Sequence, residues 1–227
     1  MPLPQKAMRS LPYIAELVNR AVGIRPILEE NAAEAERLRC LPPGNIQALR
    51  DTGLCRLMVP KRFGGYETDI RTYLTVMAEL GRGCGSTAWT ASLYNICAWL
   101  AGLFPDQAQC EIWDSSAESW IAGSLAPRGD ARQVNGGWRV TGQWPWASGC
   151  LHAQWAACGI HMKDDQGGMA NLGLSLMPMS DVTIEDTWFM AGMKGTGSNT
   201  IIARDVLVPE HRFLPYPSAF QLSLIHI

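Results

Sequence analysis

Residues Gly137–Trp155 read GWRVTGQWPWASGCLHAQW, and this stretch predicts a β-hairpin that carries aromatic side chains on one face. Small and aromatic side chains alternate with polar ones, which is the period of an extended strand. One face of the first strand would carry Trp138, Val140, Gly142 and Trp144. Pro145 interrupts the alternation, as is typical of a strand edge or bulge. A Trp-Ala-Ser-Gly loop follows, and then a second predicted strand, Ala153–Ile160.

The loop between these strands combines an aromatic ring, Trp146, with a small hydroxyl, Ser148. Such a pair suits a flat heterocycle that needs one stacking wall and one hydrogen bond. The alternative interpretation is a Trp-rich hairpin packed in an ordinary β-core, with a turn serine that bonds its own backbone. Composition alone favours that alternative.

The rest of the chain divides on either side of the residues near Ser115–Ser119. Apolar residues at helical spacing precede this point, and short alternating runs separated by turn residues follow it. Helices are predicted at Leu11–Val22 and Ile24–Arg39, with a break or a kink at Gly23 and Pro26. A long helix capped by Ser86 is predicted to reach Phe104. Turns are predicted at Arg128–Asp130, Asn135–Gly137 and Lys163–Gly168. We therefore expect an α+β protein, with a helical domain over residues 1–115 and a small β-barrel domain over residues 116–217.

Composition limits the classes of partner. The chain has 227 residues, 47% of them hydrophobic, and a formal net charge of −2 without a basic run, which argues against nucleic acid and acidic membranes as partners. The stretch Ala88–Phe104 is apolar but contains Asn95, so a buried helix is favoured over a membrane span. Seven scattered cysteines without a Cys-x-x-Cys pair fit reduced thiols in a cytoplasmic protein. No spacing of ligands predicts a metal site, and no motif predicts a Ser-His-Asp hydrolase.

Two further motifs accompany the Trp-Ala-Ser-Gly loop. Pro60–Gly65 reads PKRFGG, and Gly192–Ser198 reads GMKGTGS before a run that closes with Val208-Pro209-Glu210. With these motifs, the chain from about Leu41 to Pro217 resembles the acyl-CoA dehydrogenase fold. It is closer to the monooxygenase branch of that fold, the oxygenase components of two-component aromatic hydroxylases such as those for p-hydroxyphenylacetate and for steroid-derived phenols.

The resemblance implies a cofactor site. It makes Ser148 the candidate catalytic residue, as a hydrogen-bonding neighbour of N5 of a reduced flavin, FMN or FAD. It assigns cofactor contacts to the wall and backbone of the loop and to the cation and hydroxyls of the Gly-rich run: Trp146, Ala147, Ser148, Gly149, Lys194, Thr196 and Ser198.

The resemblance also implies a pocket for an aromatic substrate along the long helix. Its candidate residues are Trp89, Ser92, Asn95 and Cys97. Cys97 stands where related hydroxylases often carry a substrate-binding histidine, which puts deprotonation of a phenol by this helix in doubt. The alternative is a buried helix with incidental polar groups.

The implied function is hydroxylation of an aromatic substrate with O2 and reduced flavin delivered by a separate NAD(P)H:flavin reductase. Two alternatives stay open: an acyl-CoA dehydrogenase, which desaturates an acyl thioester, and an inactive fragment. The family also has a C-terminal four-helix bundle that makes most contacts of a homo-oligomer, a tetramer, and we expect it to be missing here. The ending Leu222–Ile227, LSLIHI, resembles a translated sequencing adapter, so residues 218–227 are interpreted as an artefactual end. The alternative is a natural apolar start of the next helix, and resequencing the locus would decide.

Overall fold

The computed structural model describes residues 14–163 and 169–216, and in them a helical part precedes a β-sheet part. The helices are α1 (Ile14–Glu30), α2 (Ala32–Leu38), α3 (Pro43–Thr52), α4 (Ile70–Gly83), α5 (Gly85–Ala101) and α6 (Asp106–Trp113). The strands are β1 (Ile121–Val134), β2 (Gly137–Ala147), β3 (Trp155–Lys163), β4 (Met169–Pro178), β5 (Thr183–Glu185), β6 (Asn199–Val208) and β7 (Phe213–Pro215). The predicted α+β order is confirmed. The predicted tail 218–227, the first residues of the predicted helix at Leu11 and most of the predicted turn Lys163–Gly168 lie outside the described residues.

Helix α1 continues through the predicted break at Gly23–Pro26 and ends at Glu30. Its buried side chains follow one helical stripe: Leu17, Ala21, Ile24 and Leu28. Burying such a stripe stabilises a helix by more than the cost of an unfavourable residue inside it, so packing overrides local propensity here. The predicted break is therefore wrong.

The N-terminus of α5 also differs from the prediction. The N-cap residue is Cys84, whose side chain makes no capping hydrogen bond, and Ser86 lies inside the first turn. The Ser86 hydroxyl donates instead to the Glu36 carboxylate of α2, 3.2 Å away. Ser86 is thus a tertiary contact rather than a cap.

The strands form one seven-stranded sheet in the order β5-β6-β2-β1-β3-β4-β7. Strand β1 runs parallel to β3, and the other pairs are antiparallel. Within the described residues β5 and β7 are the two edges, so the part predicted as a small barrel is a single mixed sheet.

The turn predicted at Arg128–Asp130 is wrong, because β1 passes through these residues. The strand shifts register between Ser124 and Gly129, which accommodates the Pro127 region without ending the pairing with β3. A Cβ at Gly129 would overlap the Trp144 indole of β2. The glycine therefore serves close packing between strands rather than a turn.

Helix α5 lies at the junction of the two parts. Its residues Cys97 and Ala98 share a buried apolar cluster with Ile121, Ala157 and Leu176 of the sheet. The approach is close, because a Cβ added at Gly123 in β1 would lie 2.6 Å from the Cys97 sulfur. This packing fixes α5 against the end of β2, where the candidate site lies.

Candidate functional site

The loop Trp146–Gly149 leaves the end of β2 and is held on two sides. The Gly149 N–H donates to the carbonyl of Thr196, 2.8 Å away. The Gly149 carbonyl accepts from the hydroxyl of Tyr94 on α5, at 2.7 Å. Gly149 has φ of +74°, and a Cβ there would overlap the Tyr94 hydroxyl, so glycine is required for both the turn and the close approach.

A continuous string of hydrogen bonds passes through this loop. The indole Nε1 of Trp89 donates to Ser148 Oγ at 3.1 Å. The Ser148 hydroxyl pairs with Ser198 Oγ at 2.6 Å, and Ser198 pairs with Thr196 Oγ1 at 2.7 Å. The Thr196 hydroxyl donates to the carbonyl of Met193 at 2.8 Å. We call Trp89, Ser148, Ser198, Thr196 and the Met193 carbonyl the hydroxyl string.

Two large indoles at this string are exposed. Trp146 is 61% exposed and Trp89 is 50% exposed, whereas Ser148 is only 3% exposed. The Arg128 guanidinium lies 5.2 Å from the centroid of the Trp146 ring. The exposed Trp89 indole is hydrogen-bonded to the buried Ser148 hydroxyl, and the exposed Trp146 lies two residues before Ser148 in the same loop. Exposed indoles near one polar point suit a flat aromatic ligand.

Trp146 also has an unusual backbone, with φ of +64°. For a bulky residue the left-handed region is a genuine outlier and carries a conformational cost. Its neighbour Ala147 is fully buried and pairs with Asn199 of β6, so it presents no surface to a ligand in this structure. The structure thus holds an exposed indole in a strained conformation at the end of a well-packed strand.

The Gly-rich run folds into a tight turn, Lys194–Thr196, that docks on α2. The Glu36 carboxylate accepts from the N–H groups of Lys194 and Gly195, at 3.3 and 3.4 Å. Gly195 packs so closely that a Cβ would lie 2.8 Å from Ala35 Cβ. The backbone of Lys194 is part of this turn, and its side chain is half-buried. No carboxylate among the described residues forms an ion pair with its ammonium group. The side chain offers a free positive charge close to the loop.

The four candidates on α5 do not share one face. Trp89 joins the hydroxyl string, and Ser92 is half-buried with its hydroxyl hydrogen-bonded to that of Tyr73. Asn95 is fully buried, and its amide donates to the carbonyls of Leu54 and Ala91, both at 2.9 Å. Its carbonyl oxygen accepts from the N–H of Met58 at 3.2 Å.

These contacts correct two of the substrate assignments. The side chain of Asn95 is committed to the backbone and holds the segment after α3, so its geometry is structural. Cys97 faces the sheet and is buried, and burial raises the pKa of its thiol to about 12. A buried, protonated thiol packed on β1 does not face a substrate.

Two residues at the site were missed by the sequence interpretation. Glu36 lies in the predicted helix Ile24–Arg39 without any signal of a partner, but it anchors the Gly-rich turn. Tyr94 was not considered, yet it is buried, stacks on Trp120 with ring centroids 5.0 Å apart, and holds Gly149. Burial raises the pKa of Tyr94 well above its usual value of 10, so its hydroxyl stays a donor. The helical spacing of Thr87, Thr90 and Tyr94 predicts a buried face of α5, but it does not predict which residue Tyr94 contacts.

A separate cleft of about 290 Å³ opens beside this region, lined by Leu38, Arg39, Leu151, Ile184, Asp186 and Asn199. Arg39 and Asp186 form an ion pair at 2.7 Å within it. None of the residues that line it belongs to the hydroxyl string. The candidate ligand-binding groups are the hydroxyl string and the exposed indoles of Trp89 and Trp146, and they lie outside this cleft.

Other kinds of site have no support in the described part of the chain. No group of three or more His, Cys, Asp or Glu side chains is placed to hold a metal ion there. Among the same residues no helix combines the length and apolarity that crossing a membrane requires.

The chain is similar to known proteins along most of its length. Residues 23–114 match the model of the acyl-CoA dehydrogenase N-terminal domain. The chain is 37% identical over 206 residues to a flavin-dependent monooxygenase, oxygenase subunit HsaA, of Rhodococcus jostii, covering 91% of this chain and 54% of the relative. Over residues 23–114 this chain is similar to the acyl-CoA dehydrogenase N-terminal domain.

Two further proteins are similar to this chain. The oxygenase component of an FADH2-dependent resorcinol hydroxylase from Rhizobium is 36% identical over 216 residues, covering 95% of this chain and 52% of the relative. The structure of XiaF from Streptomyces, in complex with FADH2 and glycerol, superposes with a TM-score of 0.88 at 37% identity, covering 91% of this chain and 52% of that one. The chain therefore spans about half the length of the relatives that it matches.

Proposed function

We propose that this chain is part of the oxygenase component of a two-component flavin-dependent monooxygenase. A separate NAD(P)H:flavin reductase would supply reduced flavin, and the reaction would hydroxylate an aromatic substrate with O2. The relatives named above support this proposal, because both curated ones are oxygenase components and XiaF was solved with FADH2. The assembly into a homo-oligomer and a cytoplasmic location belong to the same proposal.

The observation that carries the proposal is the buried Ser148 hydroxyl next to two exposed indoles. A flavin needs an aromatic or apolar wall for its ring and few polar contacts at its reactive edge. Trp146 supplies the wall, and Ser148 supplies the contact. Lys194 supplies a cation for the anionic part of the cofactor. The residues present therefore fit the cofactor.

When bound, a reduced flavin supplies the electrons that activate O2. The protein supplies position and exclusion of water. Ser148 Oγ would hydrogen-bond to N5 of the flavin and hold a proton at that atom, which would disfavour loss of H2O2. Trp89 and Trp146 would supply apolar surface for the ring and strengthen this hydrogen bond by lowering the local dielectric constant. Gly149, fixed by Tyr94 and Thr196, keeps the Ser148 backbone in place.

Anaerobic titration with reduced FMN and reduced FAD tests the proposed cofactor site. We expect saturable binding that quenches tryptophan fluorescence, since Trp89 and Trp146 lie at the site. The same titration identifies which of the two flavins is preferred. Absence of binding by either flavin would contradict the proposed site.

A further inference from the structure

We propose that Thr196 and Ser198 are positioning residues that hold the Ser148 hydroxyl as a hydrogen-bond acceptor toward the cofactor. This orientation makes the site select reduced over oxidised flavin. The inference rests on the proposed function, and it changes the expected role of Thr196 and Ser198 from cofactor contacts to partners of Ser148.

The ends of the hydroxyl string fix the direction of its hydrogen bonds. An indole N–H can only donate, and a carbonyl oxygen can only accept. Trp89 therefore donates at one end, and the Met193 carbonyl accepts from Thr196 at the other. Each hydroxyl has one proton, so a proton that Thr196 gives to Met193 is not available to Ser198.

The middle of the string follows from this. Because Thr196 gives its proton to Met193, the bond between Thr196 and Ser198 requires Ser198 to donate. Ser198 then needs the proton of Ser148 for the remaining bond at 2.6 Å. Ser148 therefore donates inward to Ser198 and presents only its oxygen to any further partner.

The opposite direction would cost a hydrogen bond. If Thr196 donated to Ser198, and Ser198 to Ser148, the 2.8 Å bond from Thr196 to the Met193 carbonyl would be lost. The proton of Ser148 would then be free to point toward the cofactor. The Met193 carbonyl would keep the Thr196 N–H at 3.1 Å and the Trp188 indole at 3.2 Å as donors. The proton of the buried Ser148, however, would have no acceptor among the described residues, and a buried unmade bond is costly. The direction that satisfies every partner leaves Ser148 as an acceptor.

An acceptor distinguishes the two redox states of a flavin. N5 of the reduced ring carries a proton and donates, whereas N5 of the oxidised ring accepts. A hydroxyl oxygen has two lone pairs, and Trp89 occupies one. Among the described residues no other group donates to Ser148 Oγ, so the second lone pair is available to a donor.

Binding of both redox states to the 227-residue chain tests the inference. The measured quantity is the ratio of the Kd for oxidised flavin to the Kd for reduced flavin, obtained by anaerobic and aerobic titration. In Ser198→Ala the Ser148 proton loses its inward acceptor, and we expect the ratio to fall about tenfold, the size of one hydrogen bond. In Thr196→Val the Ser198 proton loses its acceptor, so Ser198 is free to donate to Ser148, and we expect the ratio to fall by less. Thr200→Val is the matched control, because the Thr200 hydroxyl lies two residues from Ser198 but pairs with Thr187 at 2.8 Å, outside the string.

The outcomes separate the inference from the proposed function. A wild-type preference for reduced flavin that is unchanged in Ser198→Ala would overturn the inference and leave the flavin site intact. A wild type that binds neither redox state would overturn the proposed function. In either case neutron diffraction from deuterium-exchanged crystals locates the deuterium atoms of the hydroxyl string directly. Deuterium on Ser148 Oγ directed at Ser198 supports the inference, and deuterium directed away from Ser198 refutes it.

Discussion

Trp89 Nε1 on α5 donates to Ser148 Oγ at the end of β2, 3.1 Å away, across 59 positions of sequence. The bond joins a residue assigned from sequence to the substrate pocket with one assigned to the cofactor. It brings one residue of each predicted site into direct contact. The loop, the Gly-rich turn and the exposed end of α5 therefore act together, and substitutions in any of them should affect cofactor binding.

Gly149→Ala should destabilise the fold far more than Gly136→Ala. Both glycines have positive φ, of +74° and +89°, so both substitutions carry backbone strain of about 1 kcal/mol. Only at Gly149 does the new Cβ meet the Tyr94 hydroxyl and, at 2.6 Å, Thr90 Cγ2, whereas Gly136 faces open space. We expect Gly149→Ala to cost roughly 2 kcal/mol more in urea unfolding. Equal losses would show that the loop can move away from α5.

Trp146→Gly should stabilise the fold while it weakens binding of reduced flavin. Glycine adopts the left-handed backbone of residue 146 without strain, and the exposed indole contributes little buried area. Losing the aromatic wall should weaken binding by about 1–3 kcal/mol. Thermal unfolding and anaerobic titration measure the two effects.

Trp138→Ala is the matched control for that experiment. Trp138 is 6% exposed, and its indole donates to Glu210 at 2.7 Å, away from the loop. We expect it to cost about 3–5 kcal/mol of stability and to change flavin affinity less than the loss of Trp146 does. Equal losses of affinity would assign Trp146 to the core.

Acid should destabilise the chain through His152. Burial, with a smaller contribution from the nearby Arg50, lowers the pKa of His152 below its ordinary value of 6.5, so the folded state favours the neutral imidazole. A lowered histidine pKa means that the unfolded chain binds the proton more readily, so stability falls as pH decreases from about 6.5 toward the folded pKa. In His152→Gln this part of the pH dependence should disappear. The free energy of unfolding of both proteins would be measured in urea at pH 7.5 and pH 5. An equal loss of stability between the two pH values in both proteins would exclude His152 as the source.

Ser148→Ala should uncouple oxygen consumption from hydroxylation. Deleting one preorganised hydrogen bond typically costs about 1–3 kcal/mol. The ratio of H2O2 released to hydroxylated product should therefore rise roughly ten- to a hundredfold. Reduced-flavin binding should largely survive, since the aromatic walls remain. Measuring H2O2 and hydroxylated product together tests this, with Thr200→Val as the control. An unchanged ratio in Ser148→Ala would place the serine away from the reacting edge.

The sequence predicted the parts of this architecture that depend on local pattern. The alternation in residues 138–144 and the helical spacing upstream are local signals, and the α+β order follows from them. The continuous helix through Pro26 and the strand through Arg128–Asp130 were missed because their stability comes from a buried stripe and from neighbouring strands. These are tertiary effects that a local pattern does not contain.

The candidate site shows the same limit. Trp146 and Ser148 were identified because both lie in one loop, whereas their partners come from α5 and the Gly-rich turn. Asn95 and Cys97 do not face a substrate pocket as expected. The direction in which a polar side chain of a buried helix points depends on tertiary packing, which a local pattern does not contain. Glu36 carried no signal beyond a charge on a helix face, and only the docking of the Gly-rich turn gives it a role.

Turnover with O2 tests the central claim most directly. The longest open reading frame that contains this chain would be expressed, mixed anaerobically with reduced flavin, and then exposed to O2 with resorcinol or another phenol. In parallel, the protein with oxidised flavin would be mixed with an acyl-CoA. We predict hydroxylated product from the first mixture and no reduction of the flavin in the second. Absence of hydroxylated product together with reduction of the flavin by the acyl-CoA would contradict the monooxygenase account and assign the protein to desaturation.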